Sequence, residues 1–157
     1  MTELNNILYE DLIFLKKSFR DRNEVIEFLA ERMREKGLVK ESFLSNVLKR
    51  EEKFPTGLLI GDINVAIPHT DTGYAIKPAI SVVTLKNPVK FYRMDEPNEE
   101  IDVHIVFLLS VLDPKQYVNF LARLTRSFSK GDFLKSLYNT KDKKEVLDKL
   151  SELTKEE

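Results

Sequence analysis

The sequence predicts one α/β domain spanning residues 1–157, with a β-sheet packed between helices. Three observations lead there. Helical and extended periods alternate along the whole chain. Two runs, AISVVTL (79–85) and DVHIVFLLSV (102–111), are β-branched and almost wholly apolar, as central strands covered on both faces would be. Amphipathic segments with recognisable starts and stops surround them.

Taken in order, DLIFLKKSF (11–19) reads as a short strand. In DRNEVIEFLAERMREKG (21–37), Val25, Phe28, Leu29 and Met33 form one face of a helix. Asp21 and Glu24 have capping-box spacing, and Gly37 is the stop. KESFLSNVLKREEKFP (40–55) gives a second helix through Leu44, Val47 and Leu48, closed by Pro55. GLLIGDINVAIP (57–68) carries two short apolar runs around a Gly61-Asp62 turn. Between the two central strands, NPVKFYRMDEPNEE (87–100) reads as a shorter strand and a polar loop. Asp113 and Pro114 suit an N-cap and first helical position, and Tyr117, Phe120, Leu121, Leu124 and Phe128 keep the helical period behind them. Short helices around Phe133–Tyr138 and Val146–Leu153 follow, and 153–157 is expected to fray.

Composition excludes several functions. Lys plus Arg is 25 against 26 for Asp plus Glu, so no basic excess marks a nucleic-acid footprint. Without cysteine there is no disulfide, thiolate nucleophile or thiolate metal site, and two separated histidines make a metal cluster unlooked for. No G-x-S-x-G elbow, G-x-G-x-x-G or G-x-x-x-x-G-K loop occurs, so neither a serine hydrolase nor a nucleotide cofactor is implied. No apolar run spans a bilayer, and the N-terminus lacks the basic-then-apolar order of a signal peptide. The expectation is a cytoplasmic protein without a cofactor.

The candidate site lies in NVAIPHTD (64–71). Pro68 fixes its own backbone and restrains Ile67, so His69 stands on a stiff support where a strand leaves the sheet. Such edges are where ligands bind in α/β folds, and imidazole suits reversible chemistry at neutral pH. Against this stands the ordinary reading of a lone histidine as a packing residue. Alternation in the strand places the other histidine, His104, on a sheet face with Val106 and Leu108, and it reads as structural.

The stretch KREEKFPTGLLIGDINVAIPHTD (49–71) resembles the phosphorylation region of the fructose/mannitol-type enzyme IIA proteins of the bacterial sugar phosphotransferase system. The matching residues are Arg50-Glu51, Thr56, then Ile60, Gly61, the spacer to Val65, and Ala66-Ile67-Pro68-His69. FPTGL (54–58) looks most like the galactitol-type branch. The resemblance implies a mixed β-sheet sandwiched between helices, as in mannitol-type enzyme IIA. It implies that His69 accepts a phosphoryl group from HPr and passes it to a cysteine of enzyme IIB, which serves the membrane component, enzyme IIC, in sugar or polyol import. It gives Arg50 the role of stabilising the phosphate and makes Thr56 a candidate hydrogen-bond donor to it, the alternative being a turn cap. Asp71 is weighed as a group orienting the imidazole, against the repulsion its charge would exert on a phosphate. The sequence departs from the fructose and mannitol branches at two places: Thr70 stands where a very small residue is usual, and Gln116-Tyr117 where a second histidine is expected. The galactitol branch shares the second departure. The rival readings are a freestanding nitrogen-type regulatory sensor of the same fold, which this chain's length without a DNA-binding domain disfavours, and a sugar-binding module, disfavoured by the absence of Trp.

Overall fold

A computed structural model describes residues 7–128 and 132–152. The elements are β1 (Leu8–Lys17), α1 (Arg22–Glu35), α2 (Phe43–Lys53), β2 (Gly57–Leu58), β3 (Val65–Ala66), β4 (Ala79–Tyr92), β5 (Glu100–Ser110), α3 (Pro114–Phe128), α4 (Phe133–Asn139) and α5 (Lys143–Glu152). The five strands form one mixed sheet in the order β1-β4-β5-β3-β2. β1 runs parallel to β4 and β3 parallel to β5, while β4–β5 and β2–β3 are antiparallel. On one face, Val25, Leu29 and Met33 of α1 and Phe43 and Val47 of α2 pack on Val83, Phe91 and Val106. On the other, Phe120, Leu124, Leu137 and Leu150 of α3, α4 and α5 pack on Ile67, Val82 and Phe107. Interior β4 and β5 are therefore covered on both sides, which is why their sequences hardly alternate.

Local chemistry sets the ends. Asp21 caps α1 by accepting from Glu24 N at 2.9 Å, but the Glu24 carboxylate reaches back to Arg20 N at 2.7 Å, one residue short of a reciprocal box. Gly37 takes φ 77 just past the helix, a conformation that favours glycine. Asp113 caps α3 by accepting from Lys115 N at 3.0 Å. Gly57 is required by a close approach, since a Cβ there would lie 2.6 Å from Tyr92 O.

Three expectations need correcting. β1 begins at Leu8, three residues before Asp11. The stretch after Leu85 is not a separate strand: β4 continues to Tyr92, and a register irregularity between Thr84 and Val89 takes in Pro88. Pro88 is exposed and lies beyond the last residue paired with β1, so its missing N–H breaks no ladder bond on that side. The same irregularity changes the face of His104. Its ring packs edge-on against Tyr138 of α4, on the side of Ile105 and Phe107 and not with Val106 and Leu108. The end expected to fray, 153–157, lies outside the described residues. Among the described residues, no helix is long and apolar enough to cross a membrane.

Candidate functional site

Asn64 anchors the turn that leads into the site. Its Oδ1 accepts from Ile60 N and Gly61 N, at 2.8 and 3.0 Å, and its Nδ2 donates to Asp102 O at 3.0 Å. From there β3 follows β5, and Leu109 N donates to Pro68 O at 3.2 Å where β5 ends. His69 thus stands beyond the sheet edge beside the start of α3. It lines a pocket of about 410 Å³ with Arg50, Thr70, Asp71, Thr72, Val111, Pro114 and Tyr117.

The imidazole is half-buried, and its Nδ1 lies 3.1 Å from Ile67 O. A carbonyl oxygen can only accept, so Nδ1 carries the proton in the neutral ring and Nε2 keeps the lone pair. Burial lowers the His69 pKa most strongly, and Arg50 lowers it further, against opposing contributions from the Ile67 carbonyl and Asp71. At neutral pH the side chain is therefore a neutral base with one nitrogen free for chemistry.

Arg50 comes from the last turn of α2. Its guanidinium carbon is 5.3 Å from the centre of the Phe54 ring, and one terminal nitrogen is 3.9 Å from an Asp71 oxygen. Its Nε is the one buried side-chain nitrogen or oxygen among the described residues that lacks a hydrogen-bond partner. A donor held in this way beside a nucleophile suits an oxyanion. Asp71 does not orient the imidazole. It pairs loosely with Arg50 and is largely exposed, while the Ile67 carbonyl holds the ring.

Tyr117 of α3 packs directly against His69. Its ring lies on the His69 ring with centroids 4.3 Å apart and planes 33° from parallel. Burial raises its pKa to about 12, with Arg50 pulling down and Glu51 pushing up, so the hydroxyl stays protonated at neutral pH and cannot act as a base. Gln116 lines a separate small apolar cleft with Ile7, Pro78 and Phe120. Thr70 is buried and contributes to the pocket wall. His104 lies away from the pocket, where its Nδ1 accepts from Asn64 N at 3.1 Å.

Thr56 requires correction. It does not line the pocket and is only 3% exposed. Its hydroxyl donates to Glu51 Oε1 at 2.9 Å and accepts from Ile67 N at 3.1 Å. While Glu51 is ionised it takes the hydroxyl's one proton, and the burial of Thr56 outside the pocket keeps it from a phosphoryl group there.

Glu51 entered the sequence reading only as half of the Arg50-Glu51 match, and its burial was not foreseen. It is 4% exposed, and burial raises its pKa to about 7 against the hydrogen bonds from Thr56 and the charges of Arg22 and Arg50. Its signal was present: Phe43, Val47 and Glu51 recur every fourth residue, so an acid occupies the apolar stripe of α2. An acid whose folded pKa is raised makes the fold most stable below its unfolded value, and that stability is lost as pH rises through the folded value. The ionisation of Glu51 should lower stability by on the order of 3 kcal/mol between about pH 4.5 and 7. Urea unfolding of wild type and Glu51→Gln across that range should show their difference changing by this amount. A constant difference would mean that Glu51 keeps an ordinary pKa.

Comparison with known proteins gives the chain's family. The family model described as "Phosphoenolpyruvate-dependent sugar phosphotransferase system, EIIA 2" matches residues 6–153. The galactitol-specific EIIA component of Escherichia coli (strain K12) is 32% identical over 120 residues, covering 76% of this chain and 79% of that protein. The fold is shared with enzyme IIAMTL in its complex with phosphorylated enzyme IIBMTL from Escherichia coli, at TM-score 0.77 and 19% identity over 93% of this chain and 99% of the other. It is also shared with the nitrogen regulatory protein IIA-Ntr from Neisseria meningitidis, at TM-score 0.72 and 21% identity over 92% and 97%.

Proposed function

We propose, from the premise that the chain belongs to the EIIA 2 family of the phosphoenolpyruvate-dependent sugar phosphotransferase system, that His69 Nε2 is its phosphoryl carrier atom. The observation that carries this is the 3.1 Å bond from His69 Nδ1 to the Ile67 carbonyl, which leaves Nε2 as the nucleophile in a pocket shared with Arg50. The Nε2 lone pair attacks the phosphorus of phospho-HPr, forming an N–P bond as the donor's N–P bond breaks. The positive charge that develops on the ring is eased by the Ile67 carbonyl at Nδ1–H, and Arg50 steadies the phosphoryl oxygens. A cysteine thiolate of enzyme IIB then forms an S–P bond, and the neutral imidazole leaves with its electron pair.

The likeness to a galactitol-specific component favours a polyol as the cargo of the cognate enzyme IIC. The cytoplasm is the compartment where HPr and phosphoenolpyruvate meet such a carrier. The test is reconstitution. With phosphoenolpyruvate, enzyme I and HPr, the protein should take up one acid-labile phosphoryl group, mapped to His69, and yield it to a galactitol-type enzyme IIB. Uptake without transfer to any enzyme IIB would favour the regulatory reading, and no uptake would reject the carrier reading altogether.

A further inference from the structure

We propose that Glu51 is a positioning residue for His69: through the Thr56 hydroxyl and the Ile67 backbone, its carboxylate fixes the imidazole tautomer that leaves Nε2 as nucleophile. The inference rests on His69 being the phosphoryl carrier. Four hydrogen bonds make the connection. Glu51 Oε2 accepts from Thr56 N and Oε1 accepts from Thr56 Oγ1, both at 2.9 Å. Thr56 Oγ1 accepts from Ile67 N at 3.1 Å, and Ile67 O accepts from His69 Nδ1 at 3.1 Å. Glu51, Thr56 and Ile67 are all buried, so no solvent replaces a lost link cheaply.

The direction of the chain follows from donor and acceptor capacity. An ionised carboxylate can only accept, so it draws the single Thr56 proton towards α2. The hydroxyl's lone pairs then face Ile67 N, and that residue is held from its N–H side while its carbonyl holds the ring. Pro68 restrains the Ile67 backbone that joins the two. If Glu51 is protonated, it can itself donate to Thr56, and the Thr56 proton is no longer drawn towards α2, so the hydroxyl's lone pairs are no longer fixed on Ile67 N. The carbonyl loses its fixed direction, and the Nδ1–H tautomer loses its advantage over Nε2–H. A ring protonated on Nε2 has no lone pair there to attack phosphorus.

The charged groups around Glu51 let this device respond to pH. Arg22 of α1 and Arg50 of α2 favour the carboxylate, and Tyr117 of α3 interacts with it. Asp71 and His69 reach it through Arg50 and through the chain of hydrogen bonds. Burial opposes the arginines and sets the titration at about 7, above that of His69, whose own pKa is lowered from its ordinary value.

The experiment is nitrogen-15 NMR of the His69 ring in the unphosphorylated wild-type protein, with carbon-13 observation of the Glu51 carboxyl. The ring should show the Nδ1–H tautomer at about pH 8 and, besides its own titration, an inflection that coincides with that of Glu51. In Glu51→Gln that inflection should vanish while the ring's own titration remains. Thr56→Val should give a mixture of tautomers and accept phosphate from phospho-HPr at least about tenfold more slowly, and Thr56→Ser should restore both. Ring signals blind to Glu51 in the wild type would overturn the proposal even if every variant failed to fold. So would an unchanged tautomer in folded Thr56→Val. The tautomer is read without any phosphoryl donor, so a wild-type protein that shows the inflection but takes no phosphate would count against the carrier reading alone.

Discussion

His69→Ala should take up no phosphoryl group from phospho-HPr, while His104→Ala should reach wild-type stoichiometry. The two histidines differ in everything the chemistry needs. His69 lines the pocket with Arg50 and has its Nδ1 engaged by a carbonyl, so Nε2 is nucleophilic. His104 uses Nδ1 to accept from Asn64 N, so its proton sits on Nε2, and its ring lies against Tyr138 away from the pocket. With no cysteine in the chain, no thiolate can stand in. Losing the nucleophile should reduce transfer by more than about a thousandfold, to the assay background. Radiolabelled phosphoenolpyruvate with enzyme I and HPr supplies the measurement, and circular dichroism checks that both variants fold. Label retained on His69→Ala would end the assignment, and label lost from folded His104→Ala would show that the second histidine shares the work.

The sequence is legible where a residue's neighbours along the chain determine its fate, and less so where pairing across the fold does. The interior strands announced themselves because burial on both faces leaves little room for polar residues. The cap at Asp113 and the stop at Gly37 were readable because capping is a matter of adjacent backbone groups. Pro88 misled because proline interrupts a strand only where its N–H faces a partner, and nothing local says that β1 has ended by then. His104 misled for a related reason, since alternation assumes a regular register and the irregularity lies in the β4–β5 pairing. In the site, the stiff Ile67-Pro68 support and His69 were visible. The fate of the Thr56 hydroxyl was not, because its partners Glu51 and Ile67 lie five and eleven residues away on separate elements. Glu51 itself could have been found by asking why an acid occupies the apolar stripe of α2.

Arg50→Lys should slow phosphoryl transfer by about ten- to a hundredfold although the charge is kept, corresponding to about 1.4–2.8 kcal/mol of transition-state stabilisation. The argument is geometric. The guanidinium is planar and stacks near Phe54, which sets its orientation over the pocket, and its buried Nε gives it a donor that a lysine stem cannot present. An ammonium is a point charge on a flexible chain, and it would have to be ordered anew each time the phosphoryl group arrives. The effect should fall on transfer and spare the fold, since the side chain is partly exposed at the end of α2 and its only ion pair among the described residues, with the largely exposed Asp71, is long. A second readout separates charge from geometry. Arg50 helps to hold the His69 pKa down, so Arg50→Ala should raise that pKa while Arg50→Lys should leave it nearly unchanged. Quench-flow transfer from phospho-HPr, urea unfolding and an NMR titration of His69 together decide the matter. A lysine variant at the wild-type rate would show that charge alone is needed. An alanine variant at the wild-type rate, with the His69 pKa unmoved, would remove Arg50 from the site's chemistry.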